Sequence, residues 1–305
     1  MGRSGTRCVT PAQMAARRRG IPSGLYCPDM ATTTSKSATR FTTSADGTRI
    51  AYQVDGTGSP LVLVDGGLAY REQGLSPGLR KILQDRFAVY SYDRRNRGES
   101  DPGATPHCVE REVEDLVAVI ETSGAPADVF AHSAGAALAL EAARSGSSVL
   151  RMVLYEAPFI LDSSHPADDP DFARNLQELI DDGRRGEAVG LFFRLMEVPA
   201  PVRLLVRVLP LWKKLTAVAH TLPYEFAILA PFRQQTPLPP GYYDSVVAET
   251  LMVSGDKSYQ YMRNAQPLIA AALPHGRVLT LPGQSHDVRP KAIAPLIAAQ
   301  LLSPS

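Results

Sequence analysis

From residue 40 onward, short apolar runs alternate with stretches whose apolar positions recur every three to four residues. Residues 40–43 and 49–54 flank Ala45-Asp46-Gly47, a turn signal, and predict an antiparallel hairpin. A run at 61–64 stops at Asp65-Gly66-Gly67, and another at 87–92 follows a helical stretch over 77–84. Val113, Leu116, Val117 and Ile120 share one face of a helix over 109–122. A strand at 127–131, a small-residue helix at 135–143 and a strand at 150–155 follow. The chain closes with a strand at 250–254, a helix over 259–272, a strand at 277–281 and a helix over 291–301. Short strands with helices between them predict an α/β fold, a mostly parallel sheet of the eight-stranded type covered by helices on both faces.

One interval breaks this rhythm. Residues 158–248 hold no strand pattern, and the gap is too long for an ordinary crossover. Helical segments fill it at 175–182, 187–197, 202–209, 211–222 and 224–229, punctuated by Pro199, Pro201, Pro210, Pro223 and Pro231. The interval reads as a helical cap inserted into a core made of residues 39–157 and 249–305. Leu204, Leu205, Val208, Leu209, Leu211, Trp212, Phe226, Ile228 and Leu229 make it unusually apolar. Most of these are expected to pack the cap against the sheet, with any surplus lining a pocket for a hydrophobic or amphipathic small molecule.

Composition sets limits on partners. Apolar residues make up 44% and charged residues 21%, as in an ordinary globular protein. The net charge of +1 gives no reason to expect nucleic acid or an anionic surface as main partner. The charge is uneven, since five arginines against Asp29 give residues 1–30 a local net of +4. Residues 1–38 lack an amphipathic pattern and run into a polar Thr/Ser stretch, so they are expected to be a disordered basic leader rather than a transit peptide. No run approaches the length of a membrane span. Cys8 and Cys27 lie in the leader, which leaves Cys108 alone in the folded part. That excludes a disulfide framework and any cysteine metal site, and fits a cytoplasmic protein that binds neither membrane nor metal.

Chemistry concentrates at Val129-Phe130-Ala131-His132-Ser133-Ala134-Gly135. A strand ends, a serine sits between small residues, and a small-residue helix begins. A nucleophile elbow needs this arrangement, because the tight turn projects the hydroxyl and leaves no room for bulk beside it. The helix N-terminus directs N–H groups toward developing negative charge. At these residues the chain resembles the α/β-hydrolase family and its G-x-S-x-G pattern, with Ala131 in place of the first glycine. The resemblance extends from about residue 43 to 302. Asp65-Gly66-Gly67 stands where the family carries His-Gly-Gly, which assigns the oxyanion hole to the Gly67 and Ala134 amides. Asp93-Arg94-Arg95-Asn96-Arg97-Gly98-Glu99-Ser100 resembles the family's D-x-R-G-x-G-x-S loop, with Asn96 for glycine; its arginines are read as braces of the loop.

Leu281-Pro282-Gly283-Gln284-Ser285-His286 follows the last strand, where the family places its general base. His286 would accept the Ser133 proton and return it to the leaving group. His132 competes by adjacency, but neighbouring side chains on the elbow point apart, so it is read as structural. Two carboxylates compete for the third position. The usual site after the penultimate strand carries Ser258, and Asp256 lies two residues early. Glu156 leaves the strand beside the nucleophile strand, where a subgroup of the family carries its acid, and this position favours Glu156 over Asp256.

A serine nucleophile argues against the aspartate chemistry of haloalkane dehalogenases and epoxide hydrolases. What the resemblance implies is acyl transfer to water through an acyl-enzyme, on an ester, lactone or thioester, with no cofactor. Two other classes stay open: a cofactor-free lyase or oxygenase, and a non-catalytic ligand-binding protein on the same scaffold.

Overall fold

The computed structural model describes residues 37–103, 107–124 and 126–302. The expectation for a disordered leader therefore lies outside the described residues, apart from its last two positions. In chain order, β1 (Arg40–Thr43), β2 (Arg49–Asp55) and β3 (Ser59–Val64) lead to α1 (Ser76–Leu83). Then come β4 (Phe87–Tyr92), α2 (Val109–Glu121), β5 (Ala127–His132), α3 (Ala134–Arg144) and β6 (Val149–Tyr155). Helices α4 (Phe172–Asp181), α5 (Arg185–Leu195), α6 (Ala200–Val206), α7 (Pro210–Val218) and α8 (Leu222–Leu229) precede β7 (Glu249–Gly255). The chain ends with α9 (Gln260–Ala271), β8 (Gly276–Leu281) and α10 (Pro290–Leu302).

The eight strands form one sheet in the order β1-β2-β4-β3-β5-β6-β7-β8. The β1–β2 and β2–β4 pairs are antiparallel and the others parallel. Alternation along each central strand divides the core in two. Val62, Val64, Val129, Ala131, Met152 and Leu154 face one side and pack with Leu116, Val119 and Ile120 of α2, the alanines of α3, and Ile269 of α9. Leu61, Leu63, Phe130, Val153 and Tyr155 face the other side, against Leu79 and Leu83 of α1 and Ile293, Ile297 and Leu301 of α10. A sheet covered on both faces accounts for the nearly continuous apolar runs of its strands.

Between β6 and β7 only helices and loops occur, over 93 residues that are all described. Pro201, Pro210 and Pro223 fall within the first turns of α6, α7 and α8. Proline lacks only an N–H that a first turn leaves unbonded anyway. Reading each proline as a break therefore starts these helices one or two residues late.

The expected packing of the apolar residues in this interval needs correction. Phe226, Ile228 and Leu229 are buried, but Leu204, Leu205, Val208, Leu209 and Leu211 are exposed. Among the described residues, no helix is long and apolar enough to cross a membrane.

Candidate active site

The carboxyl ends of the parallel strands carry the chemistry. Ser133 occupies the turn between β5 and α3 with φ +56° and ψ −130°, a conformation that side chains rarely adopt. The surroundings enforce it. The Ser133 N–H donates to the Tyr155 carbonyl at 2.9 Å, and its own carbonyl accepts the Ala136 N–H at 2.8 Å. A Cβ at position 135 would lie 2.4 Å from the Val64 carbonyl oxygen, and one at position 66 would lie 2.9 Å from the Ser133 Cβ. Gly135 and Gly66 thus permit the close approach of α3 and of the β3 loop to the serine. Ala131 lies in the strand proper, fully buried between β3 and β6, so its methyl group does not meet the turn.

His286 reaches the serine from the loop after β8, its Nε2 3.1 Å from Ser133 Oγ. Its Nδ1 lies 2.8 Å from Glu156 Oε2. Glu156 is fully buried, and its other oxygen accepts the Gly255 N–H at 2.7 Å. Like Ser133 it has a left-handed backbone, with φ +52°. A Cβ at position 255 would lie 2.2 Å from the Gln284 carbonyl oxygen, so glycine lets the end of β7 come against the histidine loop. Asp256 is exposed and accepts the Gly283 N–H at 2.7 Å, bracing the turn before His286 rather than the imidazole itself. Of the two competing carboxylates, Glu156 is the one brought to His286.

His132 bonds to the loop that carries the base instead of to the serine hydroxyl. Its Nε2 donates to the backbone carbonyl of His286 at 3.0 Å, while Tyr155 Oη donates to that of Ser285 at 2.7 Å. Both bonds fix the loop that carries the base. Burial and the neighbouring His286 push the His132 pKa down to about 3, so its ring stays neutral and keeps this donor role.

The glycine loop after β3 is held from below. Arg97 donates to the carbonyls of Gly66 at 3.0 Å and Ala69 at 2.9 Å. Across a trans peptide the C=O and the next N–H point in opposite directions, so this bond turns the Gly67 N–H away from Arg97. Arg97 also donates to Thr221 Oγ1 and pairs with Glu225 of α8, which receives two further bonds from Arg94 at 2.8 and 3.0 Å. Arg94 in turn pairs with Glu112 at 2.5 Å. The expected bracing role of the arginines thus reaches beyond their own loop into the inserted helices. Glu225 was missed as a sequence candidate, although it is the one acid between residues 198 and 243 and sits in an otherwise apolar helix. Such a lone acid signals burial with a cation. Asp65, at the start of the glycine loop, is buried and accepts the Leu75 N–H at 3.3 Å. Burial raises its pKa to about 6.

Ser133, His286 and Gly67 open onto a cleft of about 630 Å³. Phe192, Phe193, Met196, Val198, Leu211 and Leu215 of the inserted segment form its apolar wall. Among the described residues, no cluster of three or more His, Cys, Asp or Glu side chains is arranged to hold a metal.

A model of the Alpha/beta hydrolase family matches residues 56–296, most of the chain and all of these site residues. The chain belongs to the alpha/beta hydrolase family. An alpha/beta hydrolase from Sphaerobacter thermophilus DSM 20745 has a structure similar to it, with 38% identity and a TM-score of 0.79 over 86% of this chain and 100% of that one. A thermophilic esterase from Thermogutta terrifontis shares the fold at 20% identity and a TM-score of 0.62, covering 88% and 98% of the two chains. A Mycobacterium phage D29 protein named "Putative non-heme haloperoxidase" is 31% identical over 115 residues. That match spans 37% of this alpha/beta hydrolase and only 41% of the relative.

Proposed function

We propose that this alpha/beta hydrolase is a serine hydrolase that cleaves a small hydrophobic or amphipathic ester, lactone or thioester through an acyl-enzyme. The observation that carries this reading is the unbroken chain from Ser133 Oγ through His286 to Glu156, with steps of 3.1 and 2.8 Å. Helices α4–α8 act in this reading as a cap, their apolar side chains supplying the wall of the substrate cleft.

The steps follow from the groups present. Neutral His286 takes the Ser133 proton on Nε2 as Oγ attacks the acyl carbon. Glu156 remains ionised, orients the ring through Nδ1–H and stabilises the imidazolium. The carbonyl oxygen gains negative charge facing the Gly67 and Ala134 N–H groups, at the positive end of α3. Collapse expels the alcohol or thiol, which leaves with the proton from His286. Water then attacks the seryl ester with His286 as base again, giving the acid and free Ser133. Substrate and water alone balance the reaction, so the reading calls on no cofactor.

A fluorophosphonate probe tests it. Wild-type protein should be labelled and should hydrolyse p-nitrophenyl acyl esters, and Ser133→Ala should do neither. Folded wild-type protein that neither labels nor turns over such esters would remove the hydrolase reading in favour of a lyase or a binding protein.

A further inference from the structure

Thirteen large apolar side chains stand exposed among the described residues, and six of them fall between residues 202 and 211. They are Val202, Leu204, Leu205, Val208, Leu209 and Leu211, and Val208 is 78% exposed. The other seven are scattered over the chain, which is ordinary for a protein surface. Helix α6 has no buried residue at all. A contiguous apolar patch of this kind marks an interaction surface.

Its charge says what it meets. Residues 198–224 carry Arg203, Arg207, Lys213 and Lys214 and no acid. None of these four forms a salt bridge with a described carboxylate. Glu187, whose carboxyl feels Arg207, is committed to Arg184 through two bonds of 2.8 Å. Arg203 donates to the Val198 carbonyl and Arg207 lies over the Trp212 ring, so the charge of all four cations is left without a carboxylate and Lys213 and Lys214 are exposed. Exposed leucines among such cations suit an anionic lipid surface, with the leucines at acyl-chain level and the cations among the headgroups. A second copy of the chain would fit poorly, because a twofold contact would set four cations against the same four.

The patch also adjoins the cleft. Val198, just before it in the chain, and Leu211, its last member, both line the cavity above Ser133. We propose that residues 199–214 dock this protein on an anionic lipid surface and bring the mouth of the cleft to that surface. Amphiphilic esters then enter from the lipid rather than from bulk water. The docking stands on the patch alone, whereas the delivery of esters rests on the hydrolase reading above. It revises the expectation of no membrane partner; among the described residues no helix is long and apolar enough to span one.

The full chain is sedimented with vesicles of phosphatidylcholine plus phosphatidylglycerol, and with vesicles of phosphatidylcholine alone. Wild-type protein should bind the anionic vesicles preferentially and release as salt rises. Leu204→Ser/Leu205→Ser/Val208→Ser should abolish binding, and Lys213→Gln/Lys214→Gln should weaken it roughly thirtyfold. All variants should hydrolyse a soluble short-chain ester as wild type does, because none of these side chains lines the cleft. Ser133→Ala should bind vesicles fully, so failure of the hydrolase reading leaves docking intact and visible. Wild-type protein that ignores anionic vesicles would overturn the proposal. So would binding that the leucine variant retains, or self-association in place of vesicle binding that the leucine variant abolishes.

Discussion

The two flanks of the cleft are built on opposite principles. On the sheet side and along α8, charges are buried and paired: Glu156 is fully buried, Glu225 is 1% exposed, and Arg94 and Arg97 are nearly as enclosed. Along α6 and the start of α7, apolar groups lie in solvent, and the cations form no salt bridge with a described carboxylate. The proposed reaction needs exact placement on the first flank, since in it a proton passes between atoms about 3 Å apart and a peptide N–H is aimed at an oxyanion. Buried ion pairs supply that placement, because each charge can lower its energy in only one arrangement. The second flank needs no fixed geometry, and its composition serves contact with something outside the chain.

Glu156→Gln should show the largest effect on the fixed flank. It keeps the shape but removes the charge that stabilises the imidazolium, and kcat on a p-nitrophenyl ester should fall by roughly 10⁴. Asp256→Asn, in the exposed turn, should stay within a few-fold of wild type. Loss of turnover in Asp256→Asn alone would reassign the acid.

Glu225→Gln comes next. It leaves Arg97 buried with a neutral partner, while Arg94 keeps Glu112, and urea unfolding should show a loss of about 3–5 kcal/mol. The same measurement on Leu204→Ser, on the open flank, should move by less than about 0.5 kcal/mol. Equal losses in the two variants would erase the contrast between the flanks.

Asp65 provides a pH-dependent version of the test. Its pKa is raised from 3.8 to about 6 by burial, so the folded state binds its proton more tightly than the unfolded chain. The stabilisation is complete below about pH 4 and is lost as pH rises through 6, with an upper bound of about 3 kcal/mol. His132, lowered to about 3, works in the other direction, since its neutral ring gains stability for the fold as pH rises from 3 toward 6.5. Comparing wild type with Asp65→Asn isolates the carboxyl: stability should drop further between about pH 4 and pH 7 in wild type than in the variant. Parallel profiles would place Asp65 outside this account.

The sheet and the elbow were legible because each is a local pattern. The apolar run at 127–131 and the small residues on either side of Ser133 express constraints that act over a few positions, and the family's positions at the strand ends rank Glu156 above Asp256 and mark His286 as the base. The inserted helices were harder to read. Leu204 and Phe226 look alike in sequence, yet one is exposed and the other buried, because which surface a helix meets is decided by tertiary packing. The pairing of Glu225 with Arg94 and Arg97 spans about 130 residues and leaves no local signature beyond a single acid in an apolar helix. Even so, the arginine-rich loop was recognised as structural, and its partner supplies the reason.

The catalytic reading of the fixed flank depends on Ser133 becoming acylated. Rapid quenching of the protein with a p-nitrophenyl acyl ester, followed by peptide mass analysis, tests this directly. An acyl group should appear on the peptide containing Ser133 within the first turnover, and in Glu156→Gln it should form far more slowly. Full turnover with no acyl group on that peptide, or with the acyl group on another residue, would contradict the account.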